Sequence, residues 1–260
     1  MLFLRSALLF LTLWGTGLAY EEIPVTDGGT VSGTVRFEGT PPVIPSIPVI
    51  KNPDFCGKAV VDPTLIIHPE NHGLKNTLVY LDGVKKGKRL RSGTTVSAFA
   101  CLFNPHLAVA SKGRPVVFYN SDSVLHNPQS FNESGGMIFN VALPNKRQKA
   151  TRTVAQTGIF RLQCSVHAHM NSYLAILDHP YVSVTDDRGR FRIMDIPPGR
   201  YRLMVWHEGF RMINRQEYEA SLGKGAVERP RYEEPYILTR DVEVTGLGET
   251  RLDLTVRSRD

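Results

Sequence analysis

Along much of this 260-residue chain, apolar and polar positions alternate with a period of two, the pattern of strands that turn one face to a core and the other to water. Residues 113–120, 158–163, 201–206 and 250–256 each read as a strand of this kind. The 113–120 run ends in the polar turn Ser121-Asp122-Ser123, and the 158–163 run delivers Cys164 at its end. An Asp- and Gly-bearing turn inside 184–193 predicts a hairpin, and Pro197-Pro198-Gly199 a second turn that feeds the 201–206 strand. The polar, proline-bearing stretch 214–234 reads as loop. No stretch carries a useful 3.6-residue period, so the expectation is an all-β chain.

The N-terminus departs from this pattern. Arg5, an apolar run over 7–14 and the small residues Gly15, Gly17 and Ala19 read as a secretory signal spanning 1–19. Neither that run nor any later one is long enough for a membrane-spanning helix. The sequence therefore predicts export, to a periplasm or outside the cell, with no transmembrane segment.

Charge adds little. The formal net charge of +6 loses one arginine and no acid with the signal, leaving +5 spread along the chain. No dense Arg/Lys stripe interleaves with aromatics, which argues against a nucleic-acid partner. The densest basic run, Lys85-Lys86-Gly87-Lys88-Arg89-Leu90-Arg91, reads as a solvated loop. There is no G-x-S-x-G elbow, H-E-x-x-H pair or phosphate-cradling glycine loop, so the expectation is a protein that is not an enzyme.

The chemistry concentrates in seven residues, Cys164-Ser165-Val166-His167-Ala168-His169-Met170. A thiolate and imidazoles give the strong in-plane bonds of a trigonal copper site, and a thioether supplies its weak axial contact. Such a site needs a second histidine from elsewhere, and His126, just beyond the 121–123 turn, is the natural candidate. Zinc also takes Cys and His, but Met is a poor ligand for it and the chain has no C-x-x-C pair.

The layout G-x-x-V-x-F-x-N-S-D-x-x-x-H-N from Gly113 to Asn127, together with C-x-x-H-x-x-M from Cys164 to Met170, resembles the cupredoxins, and the short ligand loop looks most like that of amicyanin. The resemblance covers about residues 95 to 178 and implies His126, Cys164 and His167 in the plane with Met170 axial. It further implies that Asn127 ties the two ligand loops by hydrogen bonding and that His167 lies nearest the surface as the electron exit. His169 breaks the pattern, since relatives tend to carry an aromatic residue before the Met. The fourth ligand is left between Met170, favoured by the spacing, and His169, otherwise an outer-rim residue.

Cysteine arithmetic follows. Of three cysteines, one assigned to metal leaves Cys56 and Cys101, which an oxidising compartment would join as a disulfide. A Cys56–Cys164 bond would instead destroy the metal site. Residues 29–37, the T-D-x-x-G-x-F motif from Thr185 and the P-P-G-x-Y motif from Pro197 resemble the carboxypeptidase regulatory-like, transthyretin-like module. The resulting expectation is a Greek-key cupredoxin sandwich inserted in or joined to that second β-sandwich: signal at 1–19, first part of the module at 20–89, cupredoxin unit at 90–178, remainder at 179–260. His106 and His207 read as structural polar contacts. Function, on this reading, is single-electron transfer through one Cu(I)/Cu(II) ion with a redox protein such as a dehydrogenase or c-type cytochrome. Copper delivery, buffering or sensing, and an envelope scaffold with a structural metal, are the alternatives.

Overall fold

The computed structural model describes residues 19–44, 46–221 and 228–259; the expected signal at 1–19 lies outside them apart from Ala19. The chain is all-β, with two sandwiches. In one, Leu78–Asp82 stands between Val182–Val184 and Gly199–His207, with Tyr236–Val244 beyond. Its facing sheet centres on Gly29–Glu38, flanked by Arg190–Ile196 and by the short runs Glu249–Arg251 and Leu254–Arg257, both parallel to it. Strands from both ends of the chain thus enclose the stretch between Asp82 and Val182.

That stretch forms the second sandwich. One sheet runs Lys149–Thr153, Pro115–Asn120, Thr94–Phe99, Leu102–Asn104. The other runs Met137–Asn140, Pro128–Phe131, Gly158–Cys164, Asn171–Leu177, Leu107–Ser111. Each sheet is mixed: Pro115–Asn120 lies parallel to Thr94–Phe99, and Asn171–Leu177 parallel to Leu107–Ser111.

Alternation fills the two cores. Val31, Val35, Leu81 and Leu203 close the enclosing sandwich, and Val96, Phe118, Phe160 and Leu162 the enclosed one. A third cluster, including Leu78, Leu107, Ala175, Leu177 and Trp206, glues the sandwiches face to face. Asn171–Leu177 is therefore buried on both sides: Leu174 and Ile176 pack inward while Ala175 and Leu177 pack against the neighbour. A doubly buried strand has no polar face, which is why its sequence is an apolar run and not an alternation.

Three expectations change. The turn at Asp186–Arg190 forms, with the Asp186 amide donating to the Arg190 carbonyl and the Gly189 amide to the Asp186 carbonyl. Yet Val182–Val184 pairs with Leu78–Asp82 and Arg190–Ile196 with Gly29–Glu38, so the turn crosses between sheets and makes no hairpin. Gly189 is required there: at φ 73° a Cβ would also come within 2.3 Å of the Val35 carbonyl oxygen. Within 214–234, Arg215–Ser221 is a helix that buries Tyr218 and Ser221, too short to have shown a period. The basic run is pinned: Lys86–Gly87 pairs with Glu21–Glu22, and the Lys88 ammonium donates to the Met194 carbonyl at 2.5 Å.

A small arm completes the fold around the site. Ser46–Pro48 and Ala59–Val61 pair antiparallel, and between them the helical turn Pro53–Cys56 begins at Asn52, whose carbonyl accepts from the amides of Phe55 and Cys56. The Tyr218 hydroxyl donates to the Pro48 carbonyl and holds the arm from behind.

Candidate metal centre

Two strand ends meet at one pole of the enclosed sandwich. Pro128 pairs directly with Cys164, so the segment that follows His126 and the strand that ends in the cysteine are neighbours in one sheet. Asn120, fully buried, shapes the turn before His126: its amide donates to the carbonyls of Val124 and Leu143 at 2.9 Å each, and its Oδ1 accepts from the Asp122 amide. The ligand loop closes on itself, with the Cys164 amide donating to the Met170 carbonyl at 3.2 Å and the Met170 amide to the His167 carbonyl at 3.0 Å.

The result is a convergence of three donors. His126 Nδ1 lies 4.0 Å and His167 Nδ1 3.7 Å from Cys164 Sγ. The three side chains are buried, at 0%, 1% and 0% exposure for His126, His167 and Cys164. Cys164 is a free thiol, because Cys56 and Cys101 are bonded to each other. Among the described residues, the other two groupings of potential ligands borrow Cys56 or Cys101, whose sulfurs are committed to that disulfide.

This donor set fits a soft metal ion. An ion about 2.0 Å from nitrogen and about 2.3 Å from sulfur, with bonds 120° apart, separates the two atoms by about 3.7 Å, close to the 3.7 and 4.0 Å found. Both imidazoles also have the right face free. The far nitrogen of His126, Nε2, sits 3.0 Å from Asp122 Oδ2, and that of His167 sits 3.2 Å from Asn52 Oδ1. A ring that donates from Nε2 presents the Nδ1 lone pair inward, the arrangement metal-binding histidines use.

Electrostatics agree. Burial, with His126 and His169 nearby, holds the pKa of His167 down to about 4, and burial, with His126 and Arg229 nearby, outweighs the Cys101 carbonyl to put His169 at about 4. Burial also lowers His126, against the pull of Asp122. Neutral imidazoles at neutral pH are what coordination requires. On the sulfur side, the Asn127 amide donates to Cys164 Sγ at 3.3 Å, and the Arg229 guanidinium, its own pKa lowered by burial, donates to the Cys164 carbonyl at 2.5 Å.

The remaining sequence-derived residues fall as follows. Met170 is fully buried in the cluster that contains Cys164. Asn127 links the two loops through its backbone, its amide to the Cys164 sulfur and its carbonyl accepting from Ser165, while its own Oδ1 has no partner among the described residues. His169 is not at an outer rim: it is 3% exposed, with Nε2 3.1 Å from the Cys101 carbonyl oxygen. Nor is His167 a surface ligand, because Asn52 and Cys56 Sγ, at 3.8 Å from its Nε2, cover it. His106 and His207 lie away from this group, His106 against Glu208 and His207 donating to the Glu208 carbonyl at 2.7 Å.

Sequence reasoning missed Asp122, Asn52 and Arg229. Asp122 had a visible signal, standing four residues before His126 in the turn that feeds it. It also accepts from the amides of Ala100 and Cys101 at 2.9 Å each, which makes it a hub. Asn52 and Arg229, 115 and 65 residues from their partners in the ligand loop, had none.

No protein-family model matches the chain, and no curated protein matches it. Among solved structures, a purple cupredoxin from Nitrosopumilus maritimus aligns at 23% identity over 32% of this chain and 98% of its own, with a TM-score of 0.29. Amicyanin from Paracoccus versutus aligns at 16% identity over 32% of this chain and 80% of its own, with a TM-score of 0.29. The copper-containing nitrite reductase of Thermus scotoductus aligns at 19% identity over 36% of this chain and 24% of its own, also with a TM-score of 0.29. These likenesses span about a third of the chain, at identities and TM-scores that bear on neither ligand nor partner.

Proposed function

We propose that this chain is an exported carrier of single electrons, holding one copper ion between His126, Cys164 and His167, with Met170 as the weak axial ligand. The observation that carries the reading is the pair of Nδ1 atoms turned toward one free, buried thiol, each ring fixed from behind. Bound copper would supply a Cu(I)/Cu(II) couple. The protein's part is to hold the ligands still. His126 and Cys164 sit at the ends of paired strands, and strand ends change little between oxidation states, which lowers the reorganisation that accompanies electron transfer. The Asn127 amide, directed at the sulfur, stabilises its negative charge.

His169 is a poor rival to Met170 because, among the described residues, its ring nitrogens join no grouping of ligand atoms within 4.8 Å of one another, whereas His126, Cys164 and His167 form one. A delivery or buffering module would need an open edge through which the ion could leave, and burial of all three donors counts against it. A redox protein such as a dehydrogenase or a c-type cytochrome is the expected partner, docking weakly and transiently. Copper-loaded protein should show an intense thiolate-to-copper visible band and reversible voltammetry, with Cys164→Ser abolishing the band. A colourless or redox-silent protein with full copper occupancy would overturn the reading.

A further inference from the structure

Once the metal ligands are set aside, the arm that carries Asn52 stands out for where it lies. Its helical turn at Pro53–Cys56 is tethered by Cys56–Cys101 and lies against the outer edge of His167. Asn52 Oδ1 is 3.2 Å from His167 Nε2, across 115 residues of sequence. Asn52 itself sits at φ 56°, ψ 45°, a left-handed conformation open mainly to Gly, Asn and Asp. Its carbonyl starts the turn, receiving the amides of Phe55 and Cys56 at 3.0 and 2.9 Å. One residue therefore builds the turn with its backbone and meets the imidazole with its side chain.

We propose that Asn52 is a positioning residue for His167: its side-chain oxygen accepts the Nε2 proton, fixes the tautomer that presents Nδ1 to the copper site, and closes the site's edge to solvent with the disulfide-tethered turn. This rests on the copper reading above. Hydrogen-bond logic assigns the donor: with Nδ1 facing the thiol, Nε2 must carry the proton, and the oxygen of Asn52 must face it. The Cys56–Cys101 bond keeps the turn in place, with Cys56 Sγ 3.8 Å from the same nitrogen. The consequence for function is that an electron partner meets the arm, not a bare imidazole.

The test is ¹⁵N–¹H NMR of the diamagnetic Cu(I) protein, read beside the rate at which a Cu(I) chelator strips the ion. Wild type should show a slowly exchanging His167 Nε2–H resonance. Asn52→Gly suits the backbone and deletes only the side chain; it should lose that resonance to solvent exchange and release copper at least tenfold faster. Asn52→Asp retains an acceptor and should restore the slow resonance. Reducing the disulfide in wild type, which needs no variant to fold, should also speed release. If the resonance is slow in Asn52→Gly, or copper release is unchanged both there and on reduction, the proposal is wrong. Failure of the wild type to bind copper at Cys164 at all would sink the copper reading instead, and the visible band distinguishes the two failures.

Discussion

At the scale of single residues, the proposed ligands and the groups that hold them come from different stretches of the chain. Cys164, His167 and Met170 announce themselves by type and spacing, and His126 by its place after a strand and turn. What fixes those rings comes from afar. Asn52 lies on an arm that the pattern of polar residues does not mark, and nothing local distinguishes it from any other turn asparagine. The same distance explains why the expected solvent-facing His167 is buried: its cover, Asn52, lies outside residues 95–178, the stretch on which that expectation rested. Met170 offers a direct test of the assignment. It is fully buried in the cluster around Cys164, so Met170→Leu keeps the packing close to isosteric while deleting the thioether. If copper binds as proposed, the blue band should survive, because the thiolate and imidazoles would produce it, and the midpoint potential should rise, because loss of a thioether donor would favour Cu(I). Voltammetry and visible spectra of the variant check both. Loss of the band in His169→Ala with no effect in Met170→Leu would reverse the assignment.

At the scale of elements, strands were read well and their partners were not. A period of two reports that a strand has one buried face, but it is silent on which sheet buries it. Residues 184–193 show the limit: the turn at Asp186–Arg190 is where its Asp and Gly put it, and the two strands it joins belong to facing sheets. The helix Arg215–Ser221 escaped because two turns are too few to display a period. The disulfide is the element-scale feature that cysteine arithmetic could reach, and it links an arm of the enclosing sandwich to the Ala100–Cys101 turn, whose amides Asp122 holds. Replacing Cys56 and Cys101 together by Ala should therefore act twice. Loss of a cross-link closing 45 residues should lower stability by about 3–4 kcal/mol, measured by urea unfolding. The same change should loosen the Ala100–Cys101 turn that Asp122 shares with His126, broadening the copper EPR signal. An unfolding midpoint shift with an unaltered signal would show that the disulfide braces the fold alone.

At the scale of the molecule, the two sandwiches are joined by an apolar seam that includes a buried ionisable contact, and that contact contributes to the pair's pH dependence. His106, just before the strand Leu107–Ser111, meets Glu208, just after Gly199–His207, and both are nearly inaccessible to water. Asp62 faces the same pocket and accepts the Tyr232 hydroxyl, while Tyr173 packs beside it on Trp206. Burial works to lower the pKa of His106, but the adjacent Glu208 carboxylate, with Asp62 behind it, outweighs burial and raises it above 6.5. Burial raises Glu208 in turn, so the pair retains its proton to higher pH than a free histidine would. A raised histidine contributes stability that is complete below 6.5 and is lost as pH climbs through the folded value, where Glu208 is left charged without its counter-ion. His207 acts in the other direction. Burial depresses it to about 4, so the unfolded chain takes up a proton first as pH falls from 6.5, and stability drains away down to about 4. At about 1.4 kcal/mol per pH unit, that single group costs about 3 kcal/mol across the range. Stability should therefore peak near neutrality, with separable limbs. In thermal unfolding between pH 4 and 9, Glu208→Gln should flatten the alkaline limb and leave the acid one, whereas His207→Asn, which keeps a donor for the Glu208 carbonyl, should make the acid limb shallower, with His167 and His169 supplying the rest of it. Because the Glu208 contact spans the seam, its loss should also separate the unfolding of the two sandwiches into two calorimetric steps at high pH; a single step in wild type and Glu208→Gln alike would mean that Leu78, Leu107, Ala175, Leu177 and Trp206 couple them without it.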